Sequence, residues 1–168
     1  TVVFVVGLIY VTFNVFYFVN IIPRIRLSLK TLCIYHCVVR YVNGTYALTY
    51  EKAVWYLPLR RSDSTFHYTA GDNIFCYASV FAPAKLSTEI LHVWEYYDEA
   101  TQEWVEHARL PYSIRGGRGG GYRGYTVIES VREGKWRCTV ETARGQALGR
   151  ESFTVVAGSK GELITRTD

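Results

Sequence analysis

The first 22 residues of the chain carry no charged side chain. Thr1 to Ile22 reads TVVFVVGLIYVTFNVFYFVNII, in which the clearly polar residues are two threonines and two asparagines. As a helix rising about 1.5 Å per residue the stretch would be about 33 Å long, slightly more than the roughly 30 Å hydrocarbon core of a bilayer. It has neither the basic start of a signal peptide nor the central turn of a hairpin, although its Val and Phe also suit a strand. The sequence therefore predicts a transmembrane helix over residues 1–22, and because it contains no methionine we expect Thr1 to lie within a longer chain.

Basic residues follow the apolar stretch. Pro23 would end a helix, and residues 23–31 read as an extended juxtamembrane linker that carries Arg24, Arg26 and Lys30. A basic side chain near anionic lipid contributes about 1 kcal/mol of attraction, although the same charges equally mark a boundary with water. Membrane lipids are thus one expected partner. Large domains translocate largely regardless of flanking charge, so the side of the membrane stays open on this ground.

The remaining sequence has the composition and turn signals of a β protein. Aromatic residues make up 15% of the chain, and such residues are enriched in strands. Cys33–Val42 and Thr45–Lys52 flank Asn43-Gly44, a dipeptide that tolerates the positive φ angles of a hairpin turn. Asn43-Gly44-Thr45 also matches the glycosylation sequon, but we interpret it as the turn. We expect a hairpin and an aromatic connector over residues 32–64.

Short strands separated by turn signals fill residues 65–157. The predicted strands are Thr65–Tyr68, Ile74–Ala82, Ile90–Tyr97, Glu103–Leu110, Tyr125–Val131, Lys135–Thr142 and Ala147–Val156. Between Lys135 and Thr142, apolar and polar residues alternate as in a half-buried strand. Regularly spaced short strands without an amphipathic helical pattern indicate an antiparallel β-sandwich. The polar residues 158–168 are expected to form a flexible tail.

The cysteines leave two structures open. The chain has Cys33, Cys37, Cys76 and Cys138, without a C-x-x-C pair. Zinc sites need tighter spacing and further histidines, so no metal is expected. Cys76 and Cys138 each fall inside a predicted strand of the sandwich, where they could form a disulfide between facing sheets or remain buried thiols. A disulfide would indicate an oxidising compartment.

A glycine- and arginine-rich loop, RGGRGGGYRGY, occupies residues 115–125. It contains G-x-G-x-x-G, but a nucleotide-binding motif should open a helix, whereas Thr126 begins a predicted strand. RNA-binding RGG segments are long and disordered, and this loop is a short connector. The net charge of +4 is largely accounted for by this loop and the juxtamembrane cluster, so we expect no nucleic-acid partner. The loop arginines either stack on neighbouring tyrosines or contact a partner.

No residue pattern points to catalysis. The chain has four histidines but neither G-x-S-x-G nor H-E-x-x-H, and the spacing suggests no nucleophile with a base and an orienting acid. His92 and His107 fall in adjacent predicted strands, where they could form a cross-strand pair or be two ordinary histidines. We therefore expect no enzyme activity and no cofactor.

Several motifs recur in an order that resembles a known family. One strand carries His92, Trp94 and Tyr96; G-K-W-R follows at Gly134–Arg137; and the closing strand carries Gly149, Phe153 and Val155. Over about Phe66 to Val156 this sequence resembles the bacterial domain of unknown function 2914. The resemblance implies an immunoglobulin-like, membrane-tethered module and supplies no activity. Cys138 stands where that family usually has valine, so a disulfide would be particular to this chain.

Two functions remain open at this point. In the first, the chain is a non-catalytic accessory subunit whose helix and sandwich dock onto other subunits of a larger membrane protein complex of the energy-transducing kind. Its candidate partner-binding residues are Phe13, Phe16, Tyr17, Trp94, Tyr96, Arg115, Arg118, Tyr122 and Arg123. In the second, exposed aromatic residues bind glycans of the cell envelope. The sandwich and its strand cysteines favour the periplasmic side of an inner membrane.

Overall fold

The chain folds into one helix and twelve described strands. The computed structural model describes residues 2–18, 27–52, 62, 64–69, 71–82, 89–112, 115–116, 121–129 and 131–168. Its elements are α1 (Val2–Phe18), β1 (Ser28–Tyr35), β2 (Cys37–Arg40), β3 (Tyr46–Glu51), β4 (Thr65–Tyr68), β5 (Ile74–Phe81), β6 (Ile90–Asp98), β7 (Glu103–Pro111), β8 (Arg115–Gly116), β9 (Tyr122–Ile128), β10 (Gly134–Thr142), β11 (Ala147–Ala157) and β12 (Leu163–Thr167). The prediction of a mainly β protein is confirmed.

Two sheets form a sandwich. One has the strand order β4-β11-β10-β6-β7, the other β1-β5-β9-β8, and all pairs are antiparallel except the parallel pair of β4 and β11. Buried residues of both sheets, among them Ile34, Ile74 and Trp136, belong to one core. The orders β11-β10-β6 and β5-β9 correspond to strands G-F-C and B-E of the immunoglobulin fold.

The centre of the sandwich carries the features expected of that topology. A disulfide joins Cys76 on β5 to Cys138 on β10, which confirms the pairing that the sequence left as one alternative. Trp94 on β6 is fully buried in the same core cluster. Two residues before Cys138, the indole of Trp136 donates a 2.9 Å hydrogen bond to the carbonyl of Arg132, as a tyrosine does at this corner of antibody domains. Of these features, the disulfide links the two sheets covalently.

A third sheet, with the order β12-β3-β2, covers the outer face of the four-stranded sheet. Tyr77 on β5 lies under Tyr46 on β3, with ring centroids 5.4 Å apart, and Tyr35 lies edge-on to Tyr77 at 6.2 Å. The Tyr77 hydroxyl donates a 2.5 Å hydrogen bond to the Asp168 carboxylate. Strand β5 is therefore buried on both faces.

The structure confirms the hairpin and corrects two neighbouring predictions. Strands β2 and β3 pair across a turn in which Gly44 has φ +84° and Asn43 Oδ1 accepts a bond from the Thr45 amide at 3.1 Å. Residues 28–31 are not linker, because they begin β1 and pair with β5. Residues 158–168 are not a flexible tail, because β12 pairs with β3 and so protects its open edge. Residues 23–26 and the aromatic segment 53–61 lie outside the described residues.

The predicted N-terminal helix is present as α1, while residues 1 and 19–22 of the predicted span lie outside the described part. Thirteen large apolar side chains of α1 are exposed, from 41% at Phe16 to 85% at Val3. Its two polar side chains bond to the carbonyls of their own helix, Thr12 to Leu8 and Asn14 to Tyr10, both at 2.8 Å. Among the described helices, none is both long and apolar enough to cross a membrane.

Candidate functional site

The outward side of β6, β7 and β10 carries a dense set of aromatic and charged residues. We call it the Trp104 face and define it by Glu95, Tyr97, Trp104, Lys135 and Arg137. Successive strand residues point to opposite sides of a sheet, and on β6 and β10 the residues of this face alternate with inward-facing residues such as Trp94 and Trp136. The face is thus a direct consequence of the strand register.

Arg137 organises the Trp104 face. It stands opposite Glu95 in the β10–β6 register, and its Nε and Nη2 donate to the two carboxylate oxygens at 2.6 and 2.7 Å. Its guanidinium also lies 4.2 Å from the centroid of the Trp104 ring. Both charged side chains are 16% exposed, and bidentate, stacked arginine pairs are geometrically well defined. The centre of the face is therefore rigid.

The aromatic rings of the face form a pair with cations above them. Tyr97 stands opposite Trp104, and their ring centroids are 5.3 Å apart. The Lys135 ammonium lies 5.5 Å from the centroid of the Tyr97 ring. Lys135 over Tyr97 and Arg137 over Trp104 are both cation–π contacts. One side of each ring is therefore already in contact with a cation.

Two ion pairs and one hydrogen bond extend this surface along the sheet. Arg109 bonds to Glu106 at 2.9 Å and to Glu141 at 2.8 Å. Arg150 donates to the Thr139 hydroxyl at 3.2 Å. Glu106 stands opposite Glu95, and each of the two carboxylates has its own arginine. Like charges that would repel across a strand pair are thereby neutralised.

The strands that carry the Trp104 face also carry the motif residues of the family resemblance. Residues 87–155 match the model of the family described as "Protein of unknown function (DUF2914)". The resemblance drawn from the sequence is confirmed. In the structure, its aromatic motif residues Trp94, Tyr96 and Trp136 pack inward in one cluster, and Arg137 of the G-K-W-R motif makes the bidentate pair with Glu95.

Comparison with other proteins adds likenesses in fold. No curated protein matches the sequence. The chain is similar to an immunoglobulin-like protein from Pseudomonas aeruginosa, with 10% identity and a TM-score of 0.43, over 80% of this chain and 99% of that one. It is also similar to the alkylpurine DNA glycosylase AlkC of Pseudomonas fluorescens, solved bound to DNA containing an abasic site analog, with 11% identity, a TM-score of 0.46, and coverage of 84% of this chain and 33% of that one. Neither likeness carries a function to this chain.

The structure separates the residues that the sequence grouped as partner-binding. Trp94 is fully buried and Tyr96 packs inward on Trp136 with centroids 5.6 Å apart, so neither belongs to an exposed surface, since both share the inward side of β6. Arg123 lies on the other sheet, 3.8 Å from Asp168 and over the Tyr46 ring, next to Tyr122 on β9.

The remaining predicted residues are less informative. Phe13 and Phe16 are exposed on α1, whereas Arg118 and the side chains of Tyr17 and Arg115 lie outside the described residues. The sequence missed Trp104 and Arg137, although the alternation around Trp136 predicts that Arg137 points outward. Trp94 and Tyr97 are three positions apart on one strand and so face opposite sides of the sheet. An assignment of Trp94 to the core would therefore have predicted that Tyr97 lies on the outer side.

A buried polar centre lies between the two sheets. His92 is fully buried, its Nδ1 lies 2.9 Å from the Thr126 hydroxyl, and the Trp94 indole donates to the same oxygen at 3.0 Å. The Tyr112 ring stacks on the imidazole at 4.1 Å. Burial lowers the pKa of His92 to about 3. His92 does not pair with His107, which instead lies against Trp136 at 5.2 Å.

A pH dependence of stability follows from His92. Unfolded His92 binds a proton below pH 6.5, whereas the folded protein resists protonation down to about pH 3. The unfolded state therefore binds more protons in this window, and stability falls as the pH falls. At about 1.36 kcal/mol per pH unit, we expect His92 to account for a loss of about 3 kcal/mol between pH 7.5 and pH 4.5.

Urea unfolding of the oxidised protein at both pH values measures this loss, with His92→Gln as the comparison. Burial also lowers the pKa of His36, and this contribution is common to both proteins and cancels. We expect the pH-dependent loss to be about 3 kcal/mol smaller in the variant. Equal losses in the two proteins would contradict the prediction.

Proposed function

We propose that this chain is a non-catalytic accessory subunit, anchored in a membrane by its N-terminal helix and docked through the Trp104 face on a protein subunit of a larger membrane complex. The observation that carries the proposal is α1, a 17-residue helix without charge whose apolar side chains are exposed on all sides. A helix that is hydrophobic all round needs an apolar environment. Lipid and neighbouring membrane helices both provide one.

The polar residues of α1 support this environment. Backbone and polar groups inside a bilayer must be satisfied without water, and both Thr12 and Asn14 bond to carbonyls of their own helix. The described helix would be about 26 Å long, close to the roughly 30 Å of a hydrocarbon core. We propose that Phe13 and Phe16 contact neighbouring helices.

The composition of the Trp104 face supports a protein partner. Trp, Tyr and Arg are the residue types enriched at the energetic centres of protein interfaces, and Arg137 holds Trp104 and Glu95 in fixed positions. Rigid side chains lose little conformational entropy on binding. A glycan would stack on open ring faces, whereas here a cation already covers one side of both rings. The glycan alternative is therefore second.

The disulfide supports a periplasmic location for the sandwich. Disulfides form and persist in oxidising compartments such as the bacterial periplasm, and the Cys76–Cys138 bond lies in the centre of the sandwich. We propose that the apolar N-terminal segment anchors the chain in the inner membrane and that the sandwich lies in the periplasm. Cys37 is partly exposed, so an impermeant thiol reagent should label it in intact cells, and labelling only after the cells are lysed would contradict this orientation.

Detergent extraction followed by native mass analysis tests docking. We expect the wild-type chain in a complex of defined stoichiometry. We expect Trp104→Ala with Arg137→Ala to weaken the association constant about 30-fold or more, since loss of an interface hot spot costs about 2 kcal/mol or more, and so to lower the assembled fraction. Arg144→Ala, at the exposed turn between β10 and β11, is the matched control and should assemble normally. A wild-type chain found as a free monomer, or equal assembly of all variants, would overturn the proposal. Binding of the full-length chain to a glycan array, lost with Trp104→Ala, would establish the alternative.

A further inference from the structure

Three metal-binding side chains meet between the two sheets. The sulfur atoms of Cys76 and Cys138 and a ring nitrogen of His92 lie within 4.8 Å of one another, and all three residues are buried. They come from β5, β10 and β6, and their sequence positions match no metal-binding spacing. Tertiary structure alone brings them together.

The donor set has a definite chemical preference. Two thiolates and a neutral imidazole are soft to borderline ligands, which favour the d10 cations Zn²⁺ and Cu⁺ over calcium or magnesium. With Zn²⁺ the two thiolate charges would be balanced, so no net charge would be buried in the core. The Cα atoms of Cys76 and Cys138 are 6.8 Å apart, at the wide end of the range for a disulfide. This spacing leaves room for two metal–sulfur bonds of about 2.3 Å.

His92 is oriented and available as a ligand. Thr126 bonds to its Nδ1, and such a second bond is what fixes the ring of a metal-binding histidine. Its Nε2 is buried and has no hydrogen-bond partner within the part of the chain that the structure describes. A buried nitrogen without a partner is unfavourable in a protein core. Binding to a cation would remove that cost.

We propose that Cys76, Cys138 and His92 bind one thiophilic d10 cation when the disulfide is reduced, so that a metal ion and a disulfide are alternative cross-links of the same two sheets. A dithiol reductant supplies two electrons and two protons, its own thiols become a disulfide, and the Cys76–Cys138 bond becomes two thiols. The cation then displaces both thiol protons to solvent and forms two metal–sulfur bonds and one metal–nitrogen bond. This inference does not depend on the proposed function.

The test uses the full chain with Cys33→Ala and Cys37→Ala, which removes the other two thiols and leaves the site intact. The protein is reduced under anaerobic conditions, freed of reductant and titrated with Zn²⁺ against a chromophoric chelator, then with Cu⁺ in the same way. We expect one ion per reduced chain and none per oxidised chain. With Co²⁺ as the probe, the reduced protein should show thiolate-to-metal charge-transfer absorption.

Two further measurements separate a site from nonspecific thiol binding. His92→Gln should weaken binding about tenfold or more, because it removes the nitrogen ligand and keeps both sulfurs. In the reduced wild-type chain, Zn²⁺ should protect Cys76 and Cys138 from alkylation, mapped by mass spectrometry, which tests the site even where a variant does not fold. Absence of stoichiometric binding, unchanged affinity in a folded His92→Gln protein, or protection confined to Cys33 and Cys37 would overturn the proposal.

Discussion

Loss of the Cys76–Cys138 disulfide is expected to lower the free energy of unfolding by about 4 kcal/mol. The bond links residues that are 62 positions apart, and its removal restores conformational freedom to a long loop of the unfolded chain. The disulfide also joins central strands of the two sheets. It therefore holds the distance between the sheets on which the other contacts across the sandwich depend. Typical domains have a total stability of about 5 to 15 kcal/mol, and we expect reduction to remove a large part of it.

Urea unfolding of the oxidised and the reduced protein measures this difference. A metal chelator is present throughout, because a bound cation would replace the cross-link and mask the loss. The chain with Cys33→Ala and Cys37→Ala is the control, since the disulfide joins Cys76 and Cys138 and involves neither of these two residues, and reduction should destabilise it by the same amount as the wild-type chain. A loss below about 1 kcal/mol in both proteins would show that the bond contributes little.

Replacement of Trp94 by alanine is expected to cost about 3 to 5 kcal/mol. Trp94 is fully buried in the cluster that contains both disulfide cysteines, and its ring lies edge-on to Phe153 with centroids 6.4 Å apart. The substitution creates a cavity and removes the indole hydrogen bond to Thr126. Large cavities in a dense core relax incompletely, which is why the cost is large.

Trp104→Ala is the matched control for this prediction. The same change on the outer side of the neighbouring strand removes one cation–π contact with Arg137, and we expect a loss of about 1 kcal/mol or less. Thermal and urea unfolding of both variants give the comparison. If the two losses were equal, the assignment of one tryptophan to the core and the other to the surface would be wrong. Partner binding should show the reverse order, with Trp104→Ala the more damaging change.

Strand residues with clear alternation were predictable from the sequence. Trp136, Cys138 and Val140 are buried and Lys135 and Arg137 point outward, because the hydrophobic effect selects one side of a pleated strand. The turn at Asn43-Gly44 and the apolar character of α1 are equally local properties. The end of the chain was not predictable in this way. Strand β12 is polar and largely exposed, and it is a strand because β3 offers it backbone hydrogen bonds.

The candidate sites likewise combine residues that were predictable from local sequence with contacts that were not. From its aromatic and basic residues the sequence predicted an interaction surface, but which of these residues are exposed depends on strand register. The Trp104 face exists because β10 pairs with β6 so that Arg137 meets Glu95. Cys76, His92 and Cys138 meet because two sheets pack face to face.

The apolar N-terminal helix, the β-rich domain with alternating strands and the resemblance to a family of unknown function were all evident from the residue pattern. Which cysteines are bonded, which tryptophan is buried and which side chains share a surface became clear from the folded chain. The physical reason is that secondary structure and burial follow from local patterns of side chains, whereas a site depends on contacts between residues far apart in the chain, which form when strands pair and sheets pack.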